Sequence, residues 1–391
     1  MKRFSSQFIF TNSGQPLKRG IITAHDNGTI LSVDDMNGSL AESQSVEFHN
    51  GIIIPGFVNC HCHLELSHLK EAIAEKTGLG GFLIQLQNIR NYPPEDISSS
   101  AISADNDLYR EGVEVCADIC NTSITFGLKA KSRIRYLNML EVFGSDPEKA
   151  DSRMNEIVRL FGDSEKAGLP SFIVPHTVYS VSLPLFRLIK DKALENRISS
   201  IHFMETEGER SFVSDHSGPL AETFKTAGML PGELKTPESI TSAILNEVTP
   251  SGNLILVHNT CADRETVREI LKRKNTFWCL CPNANLYIEN RVPPAGMLLS
   301  EGCEIVIGTD SLASNHQLSI LSELKVLQQY FPSVSLEELV RWATINGARA
   351  LGEEQRYGKI EPGKKSGLLL LENLDLLNLR LLPETTVKRL L

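Results

Sequence analysis

With 391 residues, 41% of them hydrophobic and 22% charged, the chain has the length of a barrel plus an accessory module and an ordinary globular composition. Its formal charge of -9 argues against nucleic acid and anionic membranes, which leaves small molecules as the expected partners. No signal-peptide pattern follows Met1-Lys2-Arg3, no window reaches the length of a membrane span, and the eight cysteines read as reduced thiols, so a cytoplasmic protein is expected.

Residues 1–55 alternate short β-prone runs, such as Phe8-Ile9-Phe10 and Gly20-Ile21-Ile22-Thr23, with the turn signals Asn12-Ser13-Gly14 and Asp26-Asn27-Gly28. Beyond Pro55-Gly56, over 56–352, apolar runs of four to seven residues recur between helical patterns. Strands are predicted over 56–61, 113–119, 136–142, 171–175, 199–203, 254–257, 276–280 and 304–307. Helices are predicted over 151–166, 183–196, 237–247 and 263–273. Eight such units imply a parallel (β/α)8 barrel. An open doubly wound sheet is the alternative, but no Gly-x-Gly-x-x-Gly follows an early strand. An amphipathic helix over 336–351 precedes an apolar strand over 368–371, and the segment 353–391 is expected to pair with 1–55 in one small β-module.

The chemistry is concentrated at predicted strand ends. His61 and His63 close the first strand on one face, with Cys62 on the other, because alternate side chains of a strand share a face. Two imidazoles converging at a strand end suit zinc or another borderline divalent ion. His-x-His alone is a weak signal. Here His176 follows the fourth strand, His202 ends the fifth, His258 ends the sixth and Asp310 follows the eighth in Gly308-Thr309-Asp310-Ser311. Any one of these is more often a structural residue, but catalytic groups of (β/α)8 enzymes sit at the carboxyl ends of strands, and the shared position makes a joint accident improbable. The close cysteine pairs 60/62, 116/120 and 279/281 lie near apolar strands and are expected to be packed thiols.

Taken together, Pro55-Gly56-Phe57-Val58-Asn59 with its His-x-His, Pro175-His176-Thr177-Val178-Tyr179-Ser180, His202-Phe203-Met204-Glu205-Thr206, Val257-His258-Asn259, Cys281-Pro282-Asn283-Ala284-Asn285, Gly308-Thr309-Asp310-Ser311 and Ala343-Thr344-Ile345-Asn346-Gly347-Ala348 resemble the amidohydrolase superfamily. The similarity is to its mononuclear deaminase and chlorohydrolase branch, and it spans nearly the whole chain. One departure is Ser366-Gly367 after Pro362-Gly363-Lys364, where that family has Ala-Asp. The resemblance implies a distorted (β/α)8 barrel over 56–352, with a β-sandwich built from 1–55 and 353–391. It also implies a homodimer and one divalent metal per chain, zinc by default with iron or manganese as alternatives, held by His61, His63, His202 and Asp310. Glu205 matches the family's proton-shuttling acid, His258 its water-orienting histidine and His176 a substrate-facing position, while Asp310 also helps to orient the nucleophile. The two-metal branch needs a carbamylated lysine at the fourth strand end, where this chain has Val174-Pro175-His176; Lys129 and Lys131, after the second strand, are expected to be solvated surface charges.

Substrate choice is expected to lie in loops over the barrel mouth. Glu65 is placed either to hydrogen-bond a ring N–H or sugar hydroxyl or to stabilise its own loop. His68 reads as a surface residue, and the Gly- and Ser-containing segment 207–235 as a flap with a short helix. Arg291, after the seventh strand, is placed either to clamp a carboxylate or to brace its loop. The stretch 61–67 is also similar to aminodeoxyfutalosine deaminases, whose substrate joins an adenine nucleoside to a benzoate. Three functions remain open at this level. One is hydrolytic deamination of a purine-like heterocycle. The others are hydrolysis of another C–N or C–Cl bond at the same site and a non-catalytic metabolite-binding barrel.

Overall fold

The computed structural model describes residues 1–39, 45–228, 230, 235–248 and 252–391. Five strands open the chain: β1 (Lys2–Ile9), β2 (Leu17–Lys18), β3 (Ile21–Ala24), β4 (Ile30–Asp34) and β5 (Glu47–Pro55). Eight barrel strands follow, namely β6 (Phe57–Cys62), β7 (Val113–Cys120), β8 (Arg135–Val142), β9 (Ser171–Pro175), β10 (Ile198–Phe203), β11 (Asn253–His258), β12 (Thr276–Leu280) and β13 (Glu304–Ile307). The eight predicted strands are all present, within about two residues at each end. The chain closes with β14 (Leu368–Glu372) and β15 (Thr386–Arg389).

The barrel strands pair in parallel as two sheets of four, β6-β7-β8-β9 and β10-β11-β12-β13. Single parallel bridges, Thr177 with His202 and Cys62 with Asp310, join the halves. Every residue of β6 and β10 is buried because one face lines the lumen and the other meets the helices. Val115, Ala117, Leu137, Met139, Val174, Ile255, Val257, Cys279 and Val306 fill the lumen. Leu140, Ile201, Leu254 and Leu256 face outward, where they pack with residues of α4 (Ala150–Lys166), α5 (Leu183–Ala193) and other helices.

The predicted helix over 336–351 is broken in register: Leu336–Arg341 and Gly347–Ala350 flank a wider turn at Trp342–Asn346. That turn lets Ala348, Ala350 and Leu351 enter the inner core. The terminal strands form one connected seven-stranded sheet, ordered β15-β14-β5-β1-β3-β4 with β2 on β1. Leu368 to Leu371, all fully buried, pair β14 antiparallel to β5 and so bind the two ends of the chain into one module. Burying each of these leucines contributes about 1.5–3 kcal/mol. No helix among the described residues is long and apolar enough to cross a membrane.

Candidate metal centre and active site

The residues singled out at strand ends converge. His61 Nε2 and His63 Nε2 lie 3.1 Å apart, and Asp310 Oδ1 sits 3.4 Å and 3.3 Å from them. His61, His202 and His258 form a second group, with one ring nitrogen from each inside a 4.8 Å radius of the others. A tetrahedral ion with bonds of about 2.0–2.1 Å spaces its ligand atoms about 3.3–3.4 Å apart, so the spacing of His61, His63 and Asp310 fits a bound divalent metal. His202 fits as a further ligand, because its Nδ1 faces the His176 carbonyl at 3.0 Å and leaves Nε2 free. Metal-bound histidines characteristically donate their other N–H to a carbonyl or carboxylate in this way.

Backbone geometry explains why these side chains meet. The β6 register shifts between Asn59 and Cys62, a bulge that turns both Cys60 and His61 inward while Cys62 stays in the outer core. Asn59 stitches the two ends of the barrel together: its Nδ2 donates to Thr309 Oγ1 at 2.8 Å and its Oδ1 accepts from Thr309 N at 3.2 Å. Gly308 is required for the approach, since a Cβ there would lie 2.7 Å from His61 Cβ. Met204, His258, Asn259 and Asp310 all take positive φ, between 48° and 76°, at or just past the ends of their strands. Such left-handed turns cost about 1–3 kcal/mol each and re-aim side chains at sites of function.

Electrostatics separate the roles. Burial pushes the Asp310 carboxyl up, but the hydrogen bond to His61 and the neighbouring His63 and His258 outweigh it and hold it well below the usual carboxylate range. Ser314 Oγ donates to its other oxygen at 2.6 Å. Glu205 is the opposite case. Burial above all, then Asp310 and Glu209, pushes its carboxyl well above the usual range. It lies 3.6 Å from His258 Nε2. Burial lowers His258 to about 3, so the ring is neutral, and Asn285 Nδ2 lies 3.1 Å from its Nδ1. With the amide donating, Nδ1 accepts and the ring proton sits on Nε2, facing Glu205.

Several functional residues were not singled out in the sequence. Glu141, near the end of β8, contacts His176 Nδ1 at 2.7 Å and His202 Nδ1 at 3.4 Å. Burial raises its carboxyl, but the His176 charge and hydrogen bond, with His202, bring it well below the ordinary value. Its place near a strand end was the available signal. Asn285 lay inside a recognised motif without a role. Glu209, five residues after Met204, accepts from the backbone N–H groups of Met204, Glu205 and Thr206 at 3.0, 2.6 and 3.3 Å and so fixes the turn that carries Glu205.

Two open alternatives are narrowed and one expectation is corrected. Glu65 is buried and accepts from Asn121 N, Thr122 N and Thr122 Oγ1 at 3.1, 3.2 and 3.0 Å, so both of its oxygens brace its own loop. Arg291 is half exposed and ion-paired to Glu207, and it does not line the cavity over the metal ligands. Lys129 is no surface charge: its side chain is fully buried against Asp118. His68 is partly covered, with Nε2 3.3 Å from the Arg90 carbonyl. The expected flap holds two short helices, α6 (Gly208–Asp215) and α7 (Gly218–Thr226), while its residues 229 and 231–234 lie outside the described residues.

A cavity of about 550 Å³ opens from His63, Glu141 and His176. Leu83 and Leu86 of α1 (Gly78–Ile89), together with Leu66, Phe143 and Phe224, give it an apolar waist. Arg90, Lys149 and Arg153 line it farther out. Lys149 pairs with Asp146 and Arg153 with Glu156, whereas Arg90 has no carboxylate partner among the described residues.

Comparison with known proteins agrees with this geometry. The model of the amidohydrolase family matches residues 52–387. The chain is 25% identical, over 90% of its length and 80% of the relative's, to 5-methylthioadenosine/S-adenosylhomocysteine deaminase of Haloarcula marismortui. Among solved structures, aminofutalosine deaminase of Helicobacter pylori in complex with methylthio-coformycin superposes with a TM-score of 0.79 at 20% identity, covering 96% of this chain and 93% of that one. Atrazine chlorohydrolase of Arthrobacter aurescens complexed with zinc gives 0.74 at 16% identity, covering 96% and 89%. Deaminases and a chlorohydrolase are the branch that the motifs resemble. With its family signature running over most of its length and a cluster fit for a divalent metal at the barrel mouth, the chain belongs to the amidohydrolase family and is a hydrolytic enzyme of that family.

Proposed function

We propose that this protein hydrolytically deaminates an adenosine-type nucleoside at a single-metal centre formed by His61, His63, His202 and Asp310. The observation that carries the reading is the His258–Glu205 pair, a neutral imidazole and a raised carboxyl 3.6 Å apart beside the ligand cluster. A divalent metal held by these ligands, zinc by default, would supply a water acidic enough to act as nucleophile near neutral pH. His258 Nε2–H is placed to orient a water beside the cluster. Glu205, in its ionised form, would take a proton from that water and deliver it to the ring nitrogen or the departing amine. Overall, one C–N bond breaks, one C–O bond forms and ammonia leaves. His176, held through Nδ1 by Glu141, presents its remaining ring nitrogen to the cavity as a substrate contact.

The cavity supports a finer reading. An apolar waist followed by a guanidinium with no carboxylate partner among the described residues suits an adenine nucleoside whose substituent is apolar and ends in an anion. The benzoate of aminodeoxyfutalosine is one such group, and Arg90 replaces Arg291 as its proposed partner. All eight cysteines are free, which supports a reducing compartment and a cytoplasmic enzyme. The implied homodimer is checked by light scattering.

The test is ammonia release from a panel of adenosine-type nucleosides by zinc-loaded protein, run beside Glu205→Gln. Loss of the proton shuttle is expected to lower kcat by roughly 10²- to 10⁴-fold while bound zinc stays at one equivalent. Unchanged turnover removes Glu205 from the reaction. Release of chloride or an amine without ammonia moves the chain to another hydrolysis at the same site.

A further inference from the structure

The strand β6 ends at Cys62, so its ladder with β7 stops short of His63. What holds His63 lies one layer behind it. The next residue, Leu64, donates its backbone N–H to Asp118 Oδ1 at 2.7 Å. Glu65 then grips the N–H groups of Asn121 and Thr122. Two carboxylates thus tie the turn after His63 to the end of β7.

Asp118 is fully buried, and its other oxygen meets the ammonium of Lys129. Lys129 comes from the short helix that follows β7, and its side chain is likewise fully buried. Its remaining donors meet Cys120 Sγ and Asn138 Oδ1, both at 3.0 Å. Every donor of the ammonium and both oxygens of the carboxylate are therefore used. Taking two charges out of water costs several kcal/mol each, and an apolar pair of similar volume often serves stability as well or better. A fully satisfied buried pair at this place therefore asks for a reason other than stability. The one acceptor that Asp118 offers outside the pair is aimed at the residue beside a metal ligand.

We propose that Asp118 and Lys129 are positioning residues, a buried post that holds the turn after His63 in metal-binding geometry before any metal arrives. The inference rests on the metal centre proposed above. Lys129 holds Asp118 in one rotamer, and Asp118 Oδ1 fixes Leu64 and with it the His63 ring.

The test is zinc affinity of the full chain, measured by competition with a chelator, for wild type and for the paired variant Asp118→Leu/Lys129→Met. That variant removes both charges and the Leu64 acceptor while keeping apolar volume. It is expected to melt like wild type when metal-free and to bind zinc about 10- to 100-fold more weakly, as outer-layer partners of metal ligands do. Wild-type affinity in that variant overturns the proposal. A second measurement needs no variant: hydrogen exchange at the Leu64 amide of metal-free wild type. Protection there before zinc is added supports a preformed post, and free exchange that slows only with zinc overturns it. A wild type that takes up no zinc defeats the metal centre and this inference together, whereas zinc-binding wild type matched by the variant defeats this one alone.

Discussion

At the seam between β6 and β13, His61 O accepts from both Thr309 N and Asp310 N, at 3.0 and 3.1 Å, and Asn59 ties Thr309 from the other side. At the seam between β9 and β10, His202 N donates to His176 O at 2.9 Å, and a buried carboxylate, Glu141, faces both rings. The first seam is strapped by neutral groups and buries its ligands. The second adds a charge to its main-chain bond and leaves the His176 side chain 25% exposed to the cavity. On the proposed function, the difference separates two tasks that share one barrel mouth. A metal platform needs ligands that do not move, which main-chain bonds provide. A substrate contact needs an oriented but reachable ring, which a carboxylate behind it provides.

The comparison breaks most severely at Asp310. Asp310→Ala removes a ligand atom and the acceptor for Ser314, and it is expected to leave the protein without stoichiometric metal by elemental analysis and without turnover. Glu141→Gln tests the second seam, and there a smaller loss is expected. Zinc affinity should fall by roughly 10- to 100-fold, because His202 keeps the His176 carbonyl but loses the carboxylate. An unchanged affinity would show that the backbone alone orients His202. Farther from the seam, Arg90→Ala should raise KM for a carboxylate-bearing nucleoside by about tenfold or more, the worth of a charged hydrogen bond, and leave KM for adenosine as it was. A parallel rise for both substrates would assign Arg90 to loop packing.

The smallest expected effect concerns pH. Burial raises Glu209 from 4.5 to about 7 against the lowering effect of its three backbone N–H partners. The folded state then holds a proton that the unfolded state has already released. Stability from this group is present below about 4.5 and is lost as pH rises through about 7. The melting temperature of wild type relative to Glu209→Gln should therefore decline across that window. A flat difference would mean that the N–H groups, not burial, set the titration.

Much of the site was legible because metal chemistry and barrel architecture each leave local marks. His61, His63, His202, His258 and Asp310 stand at strand ends that short apolar runs announce, and the strands sit where those runs predict. Glu65 and Arg291 stayed open between two roles for a shared reason. A charged side chain beside a catalytic motif can turn toward the substrate or toward its own loop, and only the position of Asn121, Thr122 and Glu207 decides which. Lys129 was misjudged because a lysine in a polar-looking stretch reads as solvated, and nothing local reveals that Asp118, Cys120 and Asn138 enclose it.

By itself the sequence determined the strand–helix alternation and the histidines and aspartate that stand at strand ends, since apolar period and residue type are local properties, whereas the roles proposed for Glu205 and the ligand set came from the family resemblance. The tertiary structure alone decided the bulge that turns Cys60 and His61 inward, the two seams, the Glu141–His176 contact and the buried Asp118–Lys129 post. The bulge, the seams and the Glu141–His176 contact depend on the register between strands, and the post on how the short helix after β7 packs against it. Register is set by packing and hydrogen bonding across the whole sheet, and a one-residue slip would send every side chain to the opposite face.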